Sequence, residues 1–292
     1  MNKLNILIGC LLFREYTGSE MYVFELSKGL LKLGHKVSII SPNLGEPLIS
    51  EGKKIGIQIY NFDNAPKEKF DLIHSQHQPV VSKLIELYPK TPVVCTIHSE
   101  VISIENPIVH PNIKKYIAIR PEIKKYIINN FFPIIENQVE VIFNPFDETR
   151  FNLDGVTDNG TLLFVGTIDF LRKDTLFDLV DFSKKDNKEL CIVGKNHGDY
   201  LNQIISHSHV RYFQDTKNVE IYFKSCHQTA GILMGRTTIE GWLCGKPGWI
   251  YNVNSSGVIL DKTLFNPPPD VDKFKSSKVL NKIENLYYEI KK

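Results

Sequence analysis

No cysteine pair, no metal-ligand motif and no membrane-length apolar run stands out in this sequence, and each absence removes a class of function. The five cysteines are Cys10, Cys95, Cys191, Cys226 and Cys244. Their number is odd, no Cys-x-x-Cys spacing occurs and most fall in apolar runs. They read as buried free thiols of a reducing compartment, and a cytoplasmic location is expected. No Asp-x-Asp between strands, no His-Glu-x-x-His and no paired cysteine set offers a metal site, so metal-independent chemistry without a resident cofactor is expected. A Walker loop is missing, and the absence of Gly-x-Gly-x-x-Gly argues against a nicotinamide or flavin enzyme. A net charge of +2 is too even for a dedicated nucleic-acid binder. The apolar stretch LNILIGCLLF at 4–13 is roughly ten residues, too short for a bilayer. Arg14-Glu15-Tyr16 follows it without a small-residue cleavage site, so it reads as a buried strand rather than a signal peptide.

What the chain does have is alternation. Its 292 residues, 42% hydrophobic, suffice for two cores. Strand-like runs at 5–10, 36–41, 55–60, 72–74, 92–97, 115–119 and 139–143 are interleaved with helix-like runs at 20–33, 79–88 and 121–131. Such alternation predicts βαβ units and a parallel sheet covered on both faces. The stretch NPFDETRFNLDGVTDNG at 144–160 breaks the pattern and reads as a linker. Alternation then resumes through 162–165, 190–193, 211–213, 228–234 and 248–251, and a helix is expected over 278–291. Two doubly wound domains follow, 1–150 and 151–292.

In an open α/β sheet ligands bind outside the carboxyl ends of the strands. The loop Thr17-Gly18-Ser19-Glu20 after the first strand opens there, and Gly18 lets backbone approach a phosphate or sugar. His74 and His77 (DLIHSQH) and His98 (CTIHSE) also fall near strand ends, where a lone histidine is more often structural than catalytic. The helix at 121–131 carries lysines opposite Ile123, Ile127 and Phe131. It offers peripheral contact with anionic lipid, although core packing explains the apolar stripe more simply.

The segment GILMGRTTIEGWLCGKPGWIY at 231–251 is the most informative. It reads as a strand, a turn opened by Gly235, a short helix carrying Glu240, and a second strand. A helix start beside Gly235, Arg236, Thr237 and Thr238 offers backbone N–H groups, two hydroxyls and a guanidinium to a phosphate. Glu240, one turn inside, suits ribose hydroxyls. A nucleotide is the ligand these residues describe.

The same segment resembles the donor-binding signature of family 4 glycosyltransferases, retaining enzymes of the GT-B fold, through Glu240, Cys244, Gly245, Lys246 and Pro247. The first glutamate of that signature falls at Ile232. Supporting similarity lies in Gly18-Ser19-Glu20 with Leu33-Gly34-His35-Lys36-Val37, in Thr96-Ile97-His98, in VEVIFNPFDETRF at 139–151, and in LLFVGTIDFLRKDTLFDLV at 162–180. The resemblance implies two Rossmann-like domains with an interdomain cleft, an acceptor-side domain first and a nucleotide-sugar donor domain second, the last helix either free in solvent or crossing back to the first domain. It gives His98 contact with the transferred sugar and Asn144 a capping place in the linker. Lys173 takes neutralisation of the diphosphate, and Arg172 or Arg236 replaces the arginine missing at Thr167. Gly194, in CIVGKN, is the place where the base is held by backbone contacts.

The reaction so implied is transfer of a sugar from a nucleotide diphosphate sugar to an unidentified acceptor, whether saccharide, lipid, protein, small molecule or modified nucleic acid. Ile232 and Thr167 equally suit a non-catalytic nucleotide-sugar binder or a degenerate subunit, and a nucleotide-sugar epimerase would share the architecture.

Overall fold

A computed structural model describes residues 2–291. The chain divides into two compact units, one running to Pro145 and including the segment from Ser276 onward, the other spanning Phe146–Lys275.

The first unit is built on seven parallel strands: β1 (Asn5–Gly9), β2 (Lys36–Ile40), β3 (Gln58–Tyr60), β4 (Leu72–Gln76), β5 (Val93–Ile97), β6 (Ile113–Ala118) and β7 (Val139–Val141), in the order β3-β2-β1-β4-β5-β6-β7. Helices α1 (Gly18–Lys32), α2 (Leu48–Lys54), α3 (Gln78–Leu87) and α4 (Pro121–Asn130) connect them. Successive side chains of a strand face opposite ways, so Ile6 and Ile8 of β1 enter one core while Leu7 enters the other. β4 runs two residues beyond the expected strand, which places His74 inside it and fully buried. The apolar stripe of α4 is core: Ile123 and Ile127 are fully buried.

The second unit carries strands β8 (Leu162–Val165), β9 (Leu190–Val193), β10 (Val210–Phe213), β11 (Gln228–Ile232), β12 (Gly248–Val253) and β13 (Ile259–Phe265), ordered β10-β9-β8-β11-β12-β13. All pair in parallel except β13, an exposed antiparallel edge strand with no clear alternation to betray it in the sequence. Helices α5 (Lys173–Lys185), α6 (Leu201–Ile205), α7 (Glu220–Ser225) and α8 (Arg236–Leu243) cover the sheet.

The last helix, α9 (Ser276–Lys291), packs in the first unit against α1. Contact is close enough that a Cβ on Gly29 would fall 2.2 Å from Leu280 Cδ1. His35 is buried, accepts the Leu4 N–H at Nδ1 (3.1 Å) and meets Glu284 of α9 at Nε2 (3.0 Å). Burial holds His35 below the ordinary imidazole range despite Glu284. All five cysteines are buried and unpaired. Burial pushes Cys191 and Cys226 up to about 12 and Cys244 to about 11, so these thiols stay protonated and inert near neutrality. Among the described residues no helix is long and apolar enough to cross a membrane.

Candidate functional site

Each sheet reverses its strand order once, between β1 and β4 in the first unit and between β8 and β11 in the second. Ligand crevices in such sheets open at the carboxyl ends beside that switch point. Most of the residues singled out from the sequence fall at these two edges.

In the second unit β11 ends at Ile232 and the chain turns through Leu233, Met234 and Gly235 into α8. Leu233 has φ 55°, a left-handed conformation for a branched residue, while its N–H donates to Tyr251 O (2.8 Å) and its carbonyl accepts from Gly235 N–H (3.0 Å). Strain of this kind, on the order of 1–3 kcal/mol, persists where surrounding structure fixes it and gathers at ligand sites. The turn aims α8 so that its first-turn N–H groups have no earlier helical carbonyl to bond. Thr237 donates its hydroxyl hydrogen to Val165 O at 2.6 Å, which ties the helix start across the switch point to the end of β8. Thr238 is 1% exposed, and its hydroxyl has no partner among the described residues.

Arg236 and Glu240 face each other on one side of α8. Arg236 donates from Nε (3.1 Å) and Nη2 (2.6 Å) to Glu240 Oε1, and its guanidinium lies 4.9 Å from the Phe146 ring centroid. Glu240 is 4% exposed, a carboxylate that burial tolerates only with such a partner. Arg236 Nη1 is buried without a partner among the described residues, an unfilled donor that calls for an acceptor. Sequence reasoning gave Arg236 to phosphate and Glu240 to ribose and missed this pairing, which their i,i+4 spacing on one helix could have signalled.

Around β8 and β9 the cations differ in availability. Arg172 Nη1 pairs with Asp169 Oδ2 at 2.5 Å, and the same carboxylate accepts the Arg172 N–H through Oδ1 at 3.2 Å. Lys173 is exposed at the start of α5, its Nζ 5.9 Å from the Tyr200 ring centroid. Gly194 donates its N–H to Phe213 O and accepts from Tyr212 OH, both at 3.0 Å, and a Cβ there would fall 1.9 Å from Gly166 O. Glycine at 194 thus has a packing reason, close approach of two loop backbones. Ile232 is half-buried against the core.

In the first unit Gly18 is the exposed first residue of α1. Glu20 is buried and organises the preceding loop, accepting from Arg14 N–H (2.9 Å), Glu15 N–H (3.2 Å) and the Thr17 hydroxyl (2.5 Å). His98 follows β5 directly. Its Nε2 lies 2.5 Å from Gln76 Oε1 and its ring meets the Tyr22 ring edge-on at 4.8 Å. His74, by contrast, is enclosed: Nδ1 meets Tyr287 OH of α9 at 2.5 Å, Nε2 meets Thr96 Oγ1 at 2.6 Å, and burial pushes its pKa down to about 3. Its role is to pin α9. His77 and Glu105, which the sequence did not mark as partners, form a buried contact of 3.3 Å beside His98. Among the described residues no three His, Cys, Asp or Glu side chains converge as a metal site would require.

Residues 16–150 match the family model described as Glycosyltransferase Family 4. That match lies almost wholly in the first unit and agrees with the family that the sequence resembles. Solved structures agree on the fold. A glycosyltransferase from Rickettsia africae is 16% identical, with 99% of both chains covered and a TM-score of 0.71. Anabaena HepE in complex with UDP-glucose is 16% identical over 98% of this chain and 90% of that one, with a TM-score of 0.69. The pneumococcal O-GlcNAc transferase GtfA in complex with UDP and GlcNAc is 10% identical over 99% of both chains, again at 0.69. No curated protein sequence matches the chain. The two units are the Rossmann-like domains of the GT-B fold.

Proposed function

We propose that this protein is a retaining glycosyltransferase that takes a sugar from a nucleoside diphosphate sugar without a resident metal or cofactor. The observation that carries the reading is the start of α8: first-turn N–H groups beside a buried Glu240, an Arg236 with an unfilled donor, and a strained Leu233 that sets the approach. A diphosphate fits the N–H groups and the guanidinium, and a ribose fits the carboxylate. UDP is the nucleotide favoured by likeness, since HepE and GtfA are both complexes with UDP or a UDP-sugar.

Arg236, placed at the start of α8 with Nη1 unfilled among the described residues, and Lys173 stabilise the departing diphosphate, and Arg172, whose guanidinium is held at Nη1 by Asp169, is the alternative cation. Thr237 contributes through its backbone N–H, its hydroxyl hydrogen being given to Val165. His98 is the group of the first domain assigned to the sugar, and the acceptor meets that domain. Retention is carried over from the family resemblance, and the leaving-group stabilisation described needs no separate general base.

A second reading has its own observation. Ile232 places an apolar, half-buried side chain where the family signature carries a carboxylate, and a binder that ignores the sugar would need none. Incubation with a panel of nucleotide sugars, followed by mass spectrometry, separates the two. Release or transfer of sugar from one donor supports the enzyme. Intact donors throughout, with nucleotide still bound, support the binder.

A further inference from the structure

His77 leaves β4 with φ 65°, in the left-handed region that a residue with a side chain occupies at a cost on the order of 1–3 kcal/mol. It is 8% exposed, and both ring nitrogens are committed. Nδ1 accepts the N–H of Leu11, in the loop after β1, at 3.3 Å, and Nε2 faces Glu105 Oε1 at 3.3 Å. One tautomer satisfies both contacts, the neutral ring with its proton on Nε2.

Glu105 lies in the loop after β5 and is 5% exposed. Its other oxygen, Oε2, accepts the N–H of His98 at 3.2 Å. Burial pushes this carboxyl up, yet the hydrogen bond from His77, the neighbouring His98 imidazole and the His98 N–H together hold it below the ordinary range. Two donors therefore converge on two carboxylate oxygens. An amide of the same shape can accept at only one of them.

We propose that His77 and Glu105 are a positioning pair for His98: Glu105 fixes its backbone, and His77 fixes Glu105 together with the loop after β1. Nothing in the sheet requires this arrangement, because β1, β4 and β5 complete their ladders without it. A buried carboxylate and a strained residue are costly where apolar packing would serve, and they are kept where one geometry must be specified. The His98 ring so placed has Gln76 at its Nε2, Tyr22 against its edge, and the His77 ring roughly parallel at 6.4 Å. The inference rests on His98 being a group that the proposed reaction uses.

The test is nitrogen-15 NMR of histidine rings in the full chain at pH 7, with Glu105→Gln and His77→Asn as variants, asparagine being tolerant of left-handed backbone. In the wild type His77 is expected to be neutral and protonated on Nε2. In either folded variant the His98 ring resonances should move, and its amide should exchange about tenfold faster or more, as loss of a hydrogen bond to a charged acceptor implies. UDP affinity, a property of the second domain, should stay within about twofold, since that is under 0.5 kcal/mol. A His77 that is cationic or protonated on Nδ1 in the wild type overturns the proposal. So does a folded Glu105→Gln protein whose His98 ring and amide are unchanged. Failure of the wild type to bind UDP counts against the proposed function alone, because the ring signals are read without ligand.

Discussion

Thr237 gives its hydroxyl hydrogen to the carbonyl of Val165 over 2.6 Å, joining the start of α8 to the last residue of β8. The bond spans the point where the sheet reverses its strand order, so it sets where the helix N–H groups stand relative to the strand ends. Thr237→Val keeps the shape and removes the bond. Stability should fall by about 0.5–1.5 kcal/mol, measured by urea denaturation, with UDP affinity reduced in parallel. Unchanged values for both would remove the bond from the architecture of the site.

Gly194 and Gly166 lie so close that only glycine fits at 194. Because the opposing atom is a backbone oxygen, Gly194→Ala must displace a loop, and a cost at or above the usual 1–3 kcal/mol of overpacking is expected. At Gly166 a Cβ would meet Phe164 at 3.4 Å, a contact that yields by small adjustment, so Gly166→Ala should cost far less. Thermal unfolding of the two variants ranks them directly. Equal melting temperatures would contradict the packing explanation for Gly194.

The buried His74 makes stability depend on pH with a defined sign. Its pKa falls from the usual 6.5 to about 3 on folding. Between those values the unfolded chain carries a proton that the native ring does not, so stability falls as pH falls from 6.5 toward 3. The slope from this residue is at most about 1.4 kcal/mol per pH unit, and above 6.5 it vanishes. His35, also lowered on folding, acts in the same direction. His74→Gln should flatten the acid limb by about one proton in denaturation series at pH 7, 6 and 5. Superimposable slopes would contradict the buried neutral histidine.

On the proposed reading, diphosphate charge is met by Arg236, Lys173 and helix N–H groups rather than by a carboxylate-held cation. Turnover of an active donor should therefore survive EDTA. Loss of activity with chelator and its return with Mg2+ or Mn2+ would contradict the proposed chemistry.

The doubly wound architecture was legible in the alternation of apolar runs because buried parallel strands are short, apolar and separated by amphipathic helices. The helix carrying Glu240 and its glycine start were legible too, from Gly235 onward. Four features were not. The partnership of His77 with Glu105 joins residues from different loops, and no local spacing encodes it. Leu233 takes a glycine-like conformation without being glycine, so composition misleads there. Edge strand β13 was missed because residues 259–265 face solvent on both sides for most of their length, and hydrophobic alternation fades when neither face is buried. His74 looked like a strand-end histidine only because polar Ser75 and Gln76 seemed to end the strand, whereas both are buried continuations of it.

Calorimetric titration of the full chain with UDP, and with UDP conjugates of glucose, N-acetylglucosamine and other sugars, addresses the nucleotide site most directly when it is repeated on Glu240→Ala. Wild-type protein should bind UDP, and one conjugate should bind more tightly than UDP itself. Glu240→Ala, folded by circular dichroism, should bind roughly ten- to a hundredfold more weakly, the loss of a charged hydrogen bond to ribose. Absence of UDP binding by the wild type, or an affinity that Glu240→Ala leaves unchanged, would contradict a nucleotide site at the start of α8.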